Sequence, residues 1–360
     1  MRLFQNSSVY RSYRPRLKAL TADEKTFDEA IGAFLNDRFG AVHILRPVLE
    51  RDDDAFFANG DYGPMQRLWA REQGLPATTS LEDILLAQIE HHRTEVLYNL
   101  DPVRYGNAFL ARLPGTVRRT IAWRAAPSPN ANFLQHDVIV NNFSSLLAGY
   151  EAQGARTAYF TPAHDPVMDE YCLDDRSIDV LFVGTYSRHH RKRAAMLEAI
   201  AGLRDRMKIV MHLDVSRFTR LAETPLGLMG PLRKDRRPSD LRAVARPPVF
   251  GRDLFAALGS AKIVVNGAID MAGNDRGNMR VWEALGCGAA LVGDCGTYPP
   301  GIEIGRHLRA YRSSADVPDL LTDMIEKPTE TAALALAGHD MIRTRYSKAA
   351  QWERFVDLAG

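Results

Sequence analysis

The feature that most constrains this chain is an alternation it runs through twice: a short β-rich apolar run, a polar or glycine-bearing turn, then a stretch of helical periodicity. Such a pattern builds βα units, and βα units build parallel sheets with helices on both faces. In the first half the strand candidates are 2–6, 41–46, 95–100, 119–123, 137–142 and 157–162, with amphipathic helices at 27–39 and 80–93. Ser80 followed by Asp83 marks a helix start. The second half restarts with IDVLFVG at 178–184, almost continuously apolar, as a strand covered on both faces requires. A basic helix at 189–203 follows, then strands at 208–213, 261–267 and 289–294, and a final helical stretch at 334–358. Residues 47–64 read as a long loop, and 224–248, with five prolines, as a surface excursion.

At 360 residues the chain exceeds the usual span of about 100–200 residues per domain, so two domains are expected. The turn-rich TPAHDP and polar CLDDRS place the boundary within 161–177. The division that follows is an N-terminal domain at 1–165, a second at 166–335, and a C-terminal helix at 336–360 that packs back on the first. Trp352 and Phe355, three residues apart on one helix face, would make that contact.

A formal net charge of +2, with both signs interspersed, argues against a nucleic-acid partner. Cys172, Cys287 and Cys295 are too few and too scattered for a disulfide framework, and none lies in a C-x-x-C pair. The start lacks the apolar core of a signal peptide, and no run approaches the roughly 20 apolar residues of a membrane span. A cytoplasmic setting is expected, with peripheral association to a membrane surface left open.

In open parallel sheets ligands bind beyond the carboxyl ends of the strands. That rule selects Asn6, Ser7, Asp101, Trp123, Arg124, Asn142 and Ser144 from the first half. From the second it selects Gly184 to His190 and the segment 268–294. Gly184, directly after a buried strand, lets an anion approach the backbone at the next helix N-terminus. Arg188, His190, Arg191 and Arg193 oppose the helix dipole there unless an anion is present; the alternative is a solvated basic face. In 268–294 a polar, glycine-bearing turn leads into the short helix VWEAL, with Asn278 and Arg280 near its start and Glu283 one turn in. A carboxylate at that place accepts from paired hydroxyls such as those of ribose, or simply caps or salt-bridges.

The run GNMRVWEALGCGAAL resembles the glutamate-bearing, glycine-rich signature of GT-B glycosyltransferases of group 1, and within them the CgeB-like (spore maturation protein) branch. The preceding SAKIVVN, and FQNSSVYRSY, ILLAQIEHHRTEVLYNLDP, PPVFGRDL and FVGTYSRHH, are similar to that branch too, so the resemblance spans nearly the whole chain. It implies an α/β GT-B fold, two Rossmann-like βαβ domains facing a central cleft, and a glycosyltransferase activity. The N-terminal domain would then hold the acceptor and the C-terminal domain the donor. By position Glu283 would bind the donor ribose, and Gly273, Asn278, Met279 and Arg280 would line the diphosphate–sugar pocket. Gly184, Thr185, Arg188, His190 and Arg193 would meet the phosphates. The co-substrate would be a nucleotide-diphosphate sugar, with UDP the family habit, and no cofactor would be tightly bound. The acceptor, a glycan, lipid-linked or protein hydroxyl, is not specified. Many retaining relatives carry two glutamates with seven residues between them. The earlier position here is Asp275, a shorter carboxylate and the candidate catalytic one there, which leaves retention against inversion open and makes a catalytically silent nucleotide-binding module one alternative.

Glycosyl–phosphate cleavage puts negative charge on the leaving diphosphate, which helix N-termini, Arg188, Arg193 and Arg280 would stabilise without a metal. For an inverting route Asp101 is the first candidate base and His164 the second; Asp101 also reads as an Asp-Pro turn former. Asp52-Asp53-Asp54 mimics a D-x-D metal motif but is read as a solvated acidic loop. His91-His92 and His189-His190 are adjacent pairs that do not converge easily on one ion. A nucleotide-sugar epimerase of the same fold is a further alternative.

Overall fold

Two six-stranded sheets carry the fold, and every strand pairing in them is parallel. The computed structural model describes residues 1–360 except 129, 229–230 and 268–271, so the first four positions of the 268–294 segment lie outside the described residues. Two compact units result. Unit 1 holds Met1–Ala163, Tyr346–Gly360 and a short stretch ending at Asp275; unit 2 begins at His164 and resumes over Arg276–Arg345. Among the described residues no helix is long and apolar enough to cross a membrane.

In unit 1 the strands are β1 (Leu3–Ser7), β2 (Ala55–Asn59), β3 (Val96–Asn99), β4 (Arg119–Trp123), β5 (Val138–Asn141) and β6 (Thr157–Tyr159). Their spatial order is β2-β1-β3-β4-β5-β6, so the order reverses between β1 and β3. Helix Phe27–Asp37 starts at a capping box in which Thr26 and Glu29 satisfy each other's backbone N–H groups. Helix Leu81–His91 is capped by Ser80, whose hydroxyl accepts from Asp83 N–H.

One strand expectation fails and its neighbour corrects it. AVHILR at 41–46 is not a strand but a 3-10 turn over Ala41–His43 followed by a short helix, Arg46–Leu49. Gly40 enters the turn with φ 68° and Pro47 sits in the first turn of that helix, both unsuited to an extended run. The segment's carbonyls are also taken by a lysine. Lys348 is 5% exposed, and its Nζ donates to Ala41 O at 2.6 Å and Ile44 O at 2.7 Å. The strand lies instead inside the expected loop 47–64, at β2, after the turn through Asp52–Asp54. Those aspartates are exposed, and Asp54 lies 3.7 Å from the Arg2 guanidinium.

The helical stretch expected at 334–358 is two helices, Pro328–Arg345 in unit 2 and Lys348–Ala359 in unit 1, because Ser347 caps a new start by accepting from Ala350 N–H. In the second helix Phe355 is fully buried against Tyr98 and Phe160, with ring centroids 5.1 and 6.1 Å away, and Trp352 stacks on Phe355.

Unit 2 contributes β7 (Ile178–Thr185), β8 (Ile209–Asp214), β9 (Ala245–Arg246), β10 (Ala261–Asn266), β11 (Ala290–Asp294) and β12 (Arg309–Tyr311). Their order is β12-β11-β10-β7-β8-β9. Counted from β7, this is the 3-2-1-4-5-6 order of the doubly wound dinucleotide-binding sheet. The proline-rich 224–248 excursion, apart from its undescribed positions, holds 3-10 turns, the helix Ser239–Val244 and β9. Pro247 and Pro248 follow β9 at the sheet edge, where a missing donor is tolerated.

Replacing Lys348 by methionine leaves the buried Ile44 carbonyl without its donor and takes one of the donors from Ala41 O and Val42 O. Each buried acceptor left unsatisfied costs about 1–3 kcal/mol. Lys348→Met should therefore lower the melting temperature by several degrees, and an unchanged melting curve would refute the role given to the ammonium.

Candidate functional site

In unit 2 the strand order reverses between β7 and β10, and their carboxyl ends gather most of the expected donor residues. Gly184 and Thr185 close β7. A Cβ at Gly184 would come within 3.0 Å of the Phe182 ring. Helix Arg191–Ala201 begins immediately after, with His190 at its N-cap position, no side-chain cap, and Arg191, Lys192 and Arg193 in its first turn. Positive side chains there add to the positive end of the dipole, a combination that favours an anion. The members of this basic run diverge. The Arg188 guanidinium donates to Arg236 O at 2.9 Å, whereas Arg193 is buried and donates to Gly267 O, just beyond β10.

The second helix at this edge is Met279–Gly286. Asn278 is its N-cap residue but does not cap it with its side chain. Its amide instead pairs reciprocally with that of Asn266, at 3.0 and 3.1 Å, locking the helix start to the end of β10. Arg280 and Glu283, one turn apart, form an ion pair at 2.7 Å, with Glu283 only 3% exposed. Val281, Trp282, Ala284 and Leu285 bury the rest of the helix. Its C-terminus is a Schellman turn: Gly288 N–H donates to Leu285 O and Ala289 N–H to Ala284 O, each at 3.0 Å, with Gly288 at φ 67°. Gly286 serves a different need, since a Cβ there would meet Met168 Sδ at 2.4 Å. The two glycines of the G-C-G run thus meet two needs at the far end of this helix, close packing at Gly286 and a left-handed backbone at Gly288.

Gly273 and Asp275 fall elsewhere. Their stretch belongs to unit 1, where Ala272 packs with Phe143 and Leu146 and the Asp275 carboxylate accepts from Ser145 N–H at 2.8 Å. That bond caps the helix Ser144–Glu151, which lacks a side-chain cap of its own from Phe143. Gly273 has φ 56°, a left-handed conformation suited to glycine.

The carboxyl edge of unit 1 reverses at β1 and β3. Asn6 is 1% exposed; its amide donates to Asn99 Oδ1 at 3.2 Å and accepts from Gly60 N–H at 3.1 Å. Asn99 in turn accepts from Asp101 N–H at 3.1 Å and donates to Tyr105 O at 2.9 Å. Asn6 is therefore a buried clasp between strand ends. Trp123, whose ring lies 4.5 Å from that of His43 and tilted by 55°, and Asn142 are also buried. Ser7 and Arg124 are half-buried and Ser144 is exposed, with Arg124 Nε donating to Ser128 Oγ at 2.7 Å. Asp101 is half-buried, accepts from the Ser8 hydroxyl, and lies 3.8 Å from Arg104. His164, the second base candidate, is in unit 2, 2% exposed, with Nε2 3.0 Å from Asp169.

Two contributors at these edges escaped sequence reading. Asn266 is the last residue of β10, a position the strand-end rule reaches once AKIVVNG is taken as a strand. Asp294, ending β11, holds Tyr311 by an oxygen 2.6 Å from its hydroxyl and lies 3.4 Å from Arg276. A buried imidazole also underlies the unit 1 edge: His136 Nε2 is 3.5 Å from Asn99 Nδ2. Burial pushes its pKa down to about 4, so it folds neutral.

Comparison with known proteins places the fold. A family model described as glycosyl transferase-like matches residues 191–357. No curated protein sequence matches significantly. Among solved structures the chain is similar to Anabaena HepE in complex with UDP and glucose, at 13% identity and TM-score 0.58, covering 99% of this chain and 98% of that one. It is similar to AviGT4, a glycosyltransferase involved in avilamycin A biosynthesis, at 14% identity and TM-score 0.57, covering 100% and 97%. Sucrose-phosphate synthase from Thermosynechococcus elongatus aligns at 10% identity and TM-score 0.52, covering 99% and 97%. The chain thus has the GT-B fold of these structures, and its residues 191–357 match the glycosyl transferase-like family model.

The lowered pKa of His136 gives a signed pH dependence. Its contribution is complete above the unfolded pKa of about 6.5 and is lost as pH falls toward 4, because the unfolded chain takes up the proton first. Denaturant titrations from pH 7 to pH 5 should show stability falling, by up to about 1.4 kcal/mol per pH unit for one such group. His136→Leu should flatten that slope; an equal slope in the variant would contradict a neutral buried His136.

Proposed function

We propose that this protein transfers a sugar from a nucleotide-diphosphate donor, of the UDP type, to a hydroxyl acceptor, with unit 2 binding the donor and unit 1 the acceptor. The observation that carries the reading is the convergence at the β7–β10 switch point. Gly184, two helix N-termini, the buried Arg193 and the Asn266–Asn278 pair meet there, with the Arg280–Glu283 pair one turn behind. The UDP and UDP-glucose complexes of HepE support the choice of nucleotide.

In this reading the diphosphate lies over the two helix N-termini, where backbone N–H groups and the dipoles stabilise charge without a metal. Arg188, Arg193 and Arg280 add positive charge as the glycosyl–phosphate bond breaks. Glu283, buried and oriented by Arg280, accepts from the donor ribose hydroxyls. Asp101 at the unit 1 strand edge takes the acceptor proton in an inverting reaction. Asp275 caps a unit 1 helix in this scheme, and is a positioning residue.

Nucleotide release from a panel of UDP-sugars, assayed in chelator with simple glycan acceptors, tests the reaction. Release of UDP with transfer or hydrolysis of the sugar is expected, and Arg280→Ala should lower its rate by about 100-fold, as for removal of one charge-stabilising donor. Interconversion of the sugar without nucleotide release would replace transfer by epimerisation, and binding without turnover would make the chain a silent module.

A further inference from the structure

Four side chains with metal-binding chemistry meet in unit 2, at the C-terminal end of helix Met279–Gly286. His164 precedes the 3-10 segment Pro166–Tyr171, Asp169 lies within it, Cys172 follows it, and His339 arrives from helix Pro328–Arg345. Asp169 Oδ1 is 3.0 Å from His164 Nε2 and 3.4 Å from His339 Nε2. Cys172 Sγ is 4.0 Å from His339 Nε2, and ligating atoms of Asp169, Cys172 and His339 all lie within 4.8 Å of one another. Zinc bonds of about 2.0–2.3 Å in a tetrahedron set neighbouring ligand atoms about 3.3–3.8 Å apart. The ligating atoms of Asp169, Cys172 and His339 are therefore within a small side-chain adjustment of a shared ion.

Arg176 and Arg343 lie near the Cys172 sulfur and favour its thiolate, and the other neighbours favour a cation. His339 Nδ1 lies 3.3 Å from Leu285 O, the backbone-carbonyl partner that commonly fixes a ligating imidazole with Nε2 toward the metal. With the proton on Nδ1, the Nε2 lone pair faces the Asp169 carboxylate, an opposition that an ion between them relieves. Gly286 O is 3.5 Å from Cys172 Sγ, so the negative end of the Met279–Gly286 helix is turned toward the cluster. Asp169 is exposed, which gives an ion a way in.

We propose that Asp169, Cys172 and His339 bind one divalent transition-metal ion of the zinc class, with His164, whose Nε2 lies 3.0 Å from Asp169, turning in as the fourth donor. Two imidazoles and a thiolate select such an ion over magnesium or calcium, which take oxygen ligands. On binding, the Cys172 thiol proton passes to solvent and the sulfur becomes a ligand. The ion ties the 164–172 segment and helix Pro328–Arg345 to the end of the helix that bears Arg280 and Glu283. Its position, about 12 Å along the eight-residue helix from Asn278, makes it a structural clamp and not part of the diphosphate pocket.

Metal analysis of the purified full chain tests this directly, together with titration of the chelated protein with zinc, cobalt and magnesium. About one zinc per chain is expected, with a rise in melting temperature on adding zinc but not magnesium. Cobalt should produce a thiolate charge-transfer band that Cys172→Ser removes. His339→Ala, checked for folding by circular dichroism, should lose the zinc equivalent. A folded wild-type chain that takes up neither zinc nor cobalt would overturn the proposal, as would full zinc occupancy in the Cys172→Ser and His339→Ala variants. Nucleotide binding is read separately, so either idea can fail without the other.

Discussion

Unit 2 depends on one short helix fastened at both ends. At its start the reciprocal amide pair of Asn266 and Asn278 joins helix Met279–Gly286 to β10. At its end the Schellman turn at Gly288 and the side-chain-free approach at Gly286 return the chain at once into β11. Between them Trp282 is fully buried, so the helix cannot rotate without emptying the core. Such fastening leaves few degrees of freedom for Arg280 and Glu283, whose ion pair is presented at the switch point in a set orientation. Preorganised charge of this kind does more at a developing diphosphate than charge that must first be gathered.

Unit 1 solves a comparable problem with polar clasps. Asn6 and Asn99 tie the ends of β1 and β3, and Asn6 also holds Gly60 beyond β2. On the flank, Lys348 and Gln351 of the last helix hold the carbonyls of the 41–44 turn, and Gln351 also donates to Thr161 O at 3.0 Å. Parallel sheets end in loops full of backbone groups that no strand neighbour satisfies, and these side chains do that work. The same economy applies to Asp275, whose carboxylate caps a unit 1 helix.

The sheet architecture was legible because buried parallel strands write themselves as apolar runs: β3, β4, β5, β6, β10 and β11 each fall within an expected run, and β1, β7 and β8 pass the end of theirs by one residue. AVHILR misled because its apolar content matches a strand, while its backbone partners come from a lysine some 300 residues later, which no local pattern reveals. AFFAN in β2 was hidden by the acidic turn before it and the glycines after it. At the unit 2 edge the strand-end rule and the resemblance together reached Gly184, Arg193, Asn278, Arg280 and Glu283, since each sits one or a few residues beyond a readable strand or within a readable helix. Burial was not legible in this way: nothing local distinguishes Asn6, a clasp, from Ser7 beside it. The His164–Asp169–Cys172–His339 cluster was invisible for the same reason as the lysine, because His339 stands 167 residues from Cys172.

The proposed donor site requires a nucleotide diphosphate at the β7–β10 switch point. Isothermal titration of the protein with UDP in chelator measures that most directly, with Glu283→Gln and Arg193→Ala as paired variants. Binding at one site per chain, weakened in both variants while circular dichroism shows them folded, is the predicted result. Absence of binding by the folded wild-type chain, or binding that neither variant changes, would contradict the assignment of the donor site to unit 2.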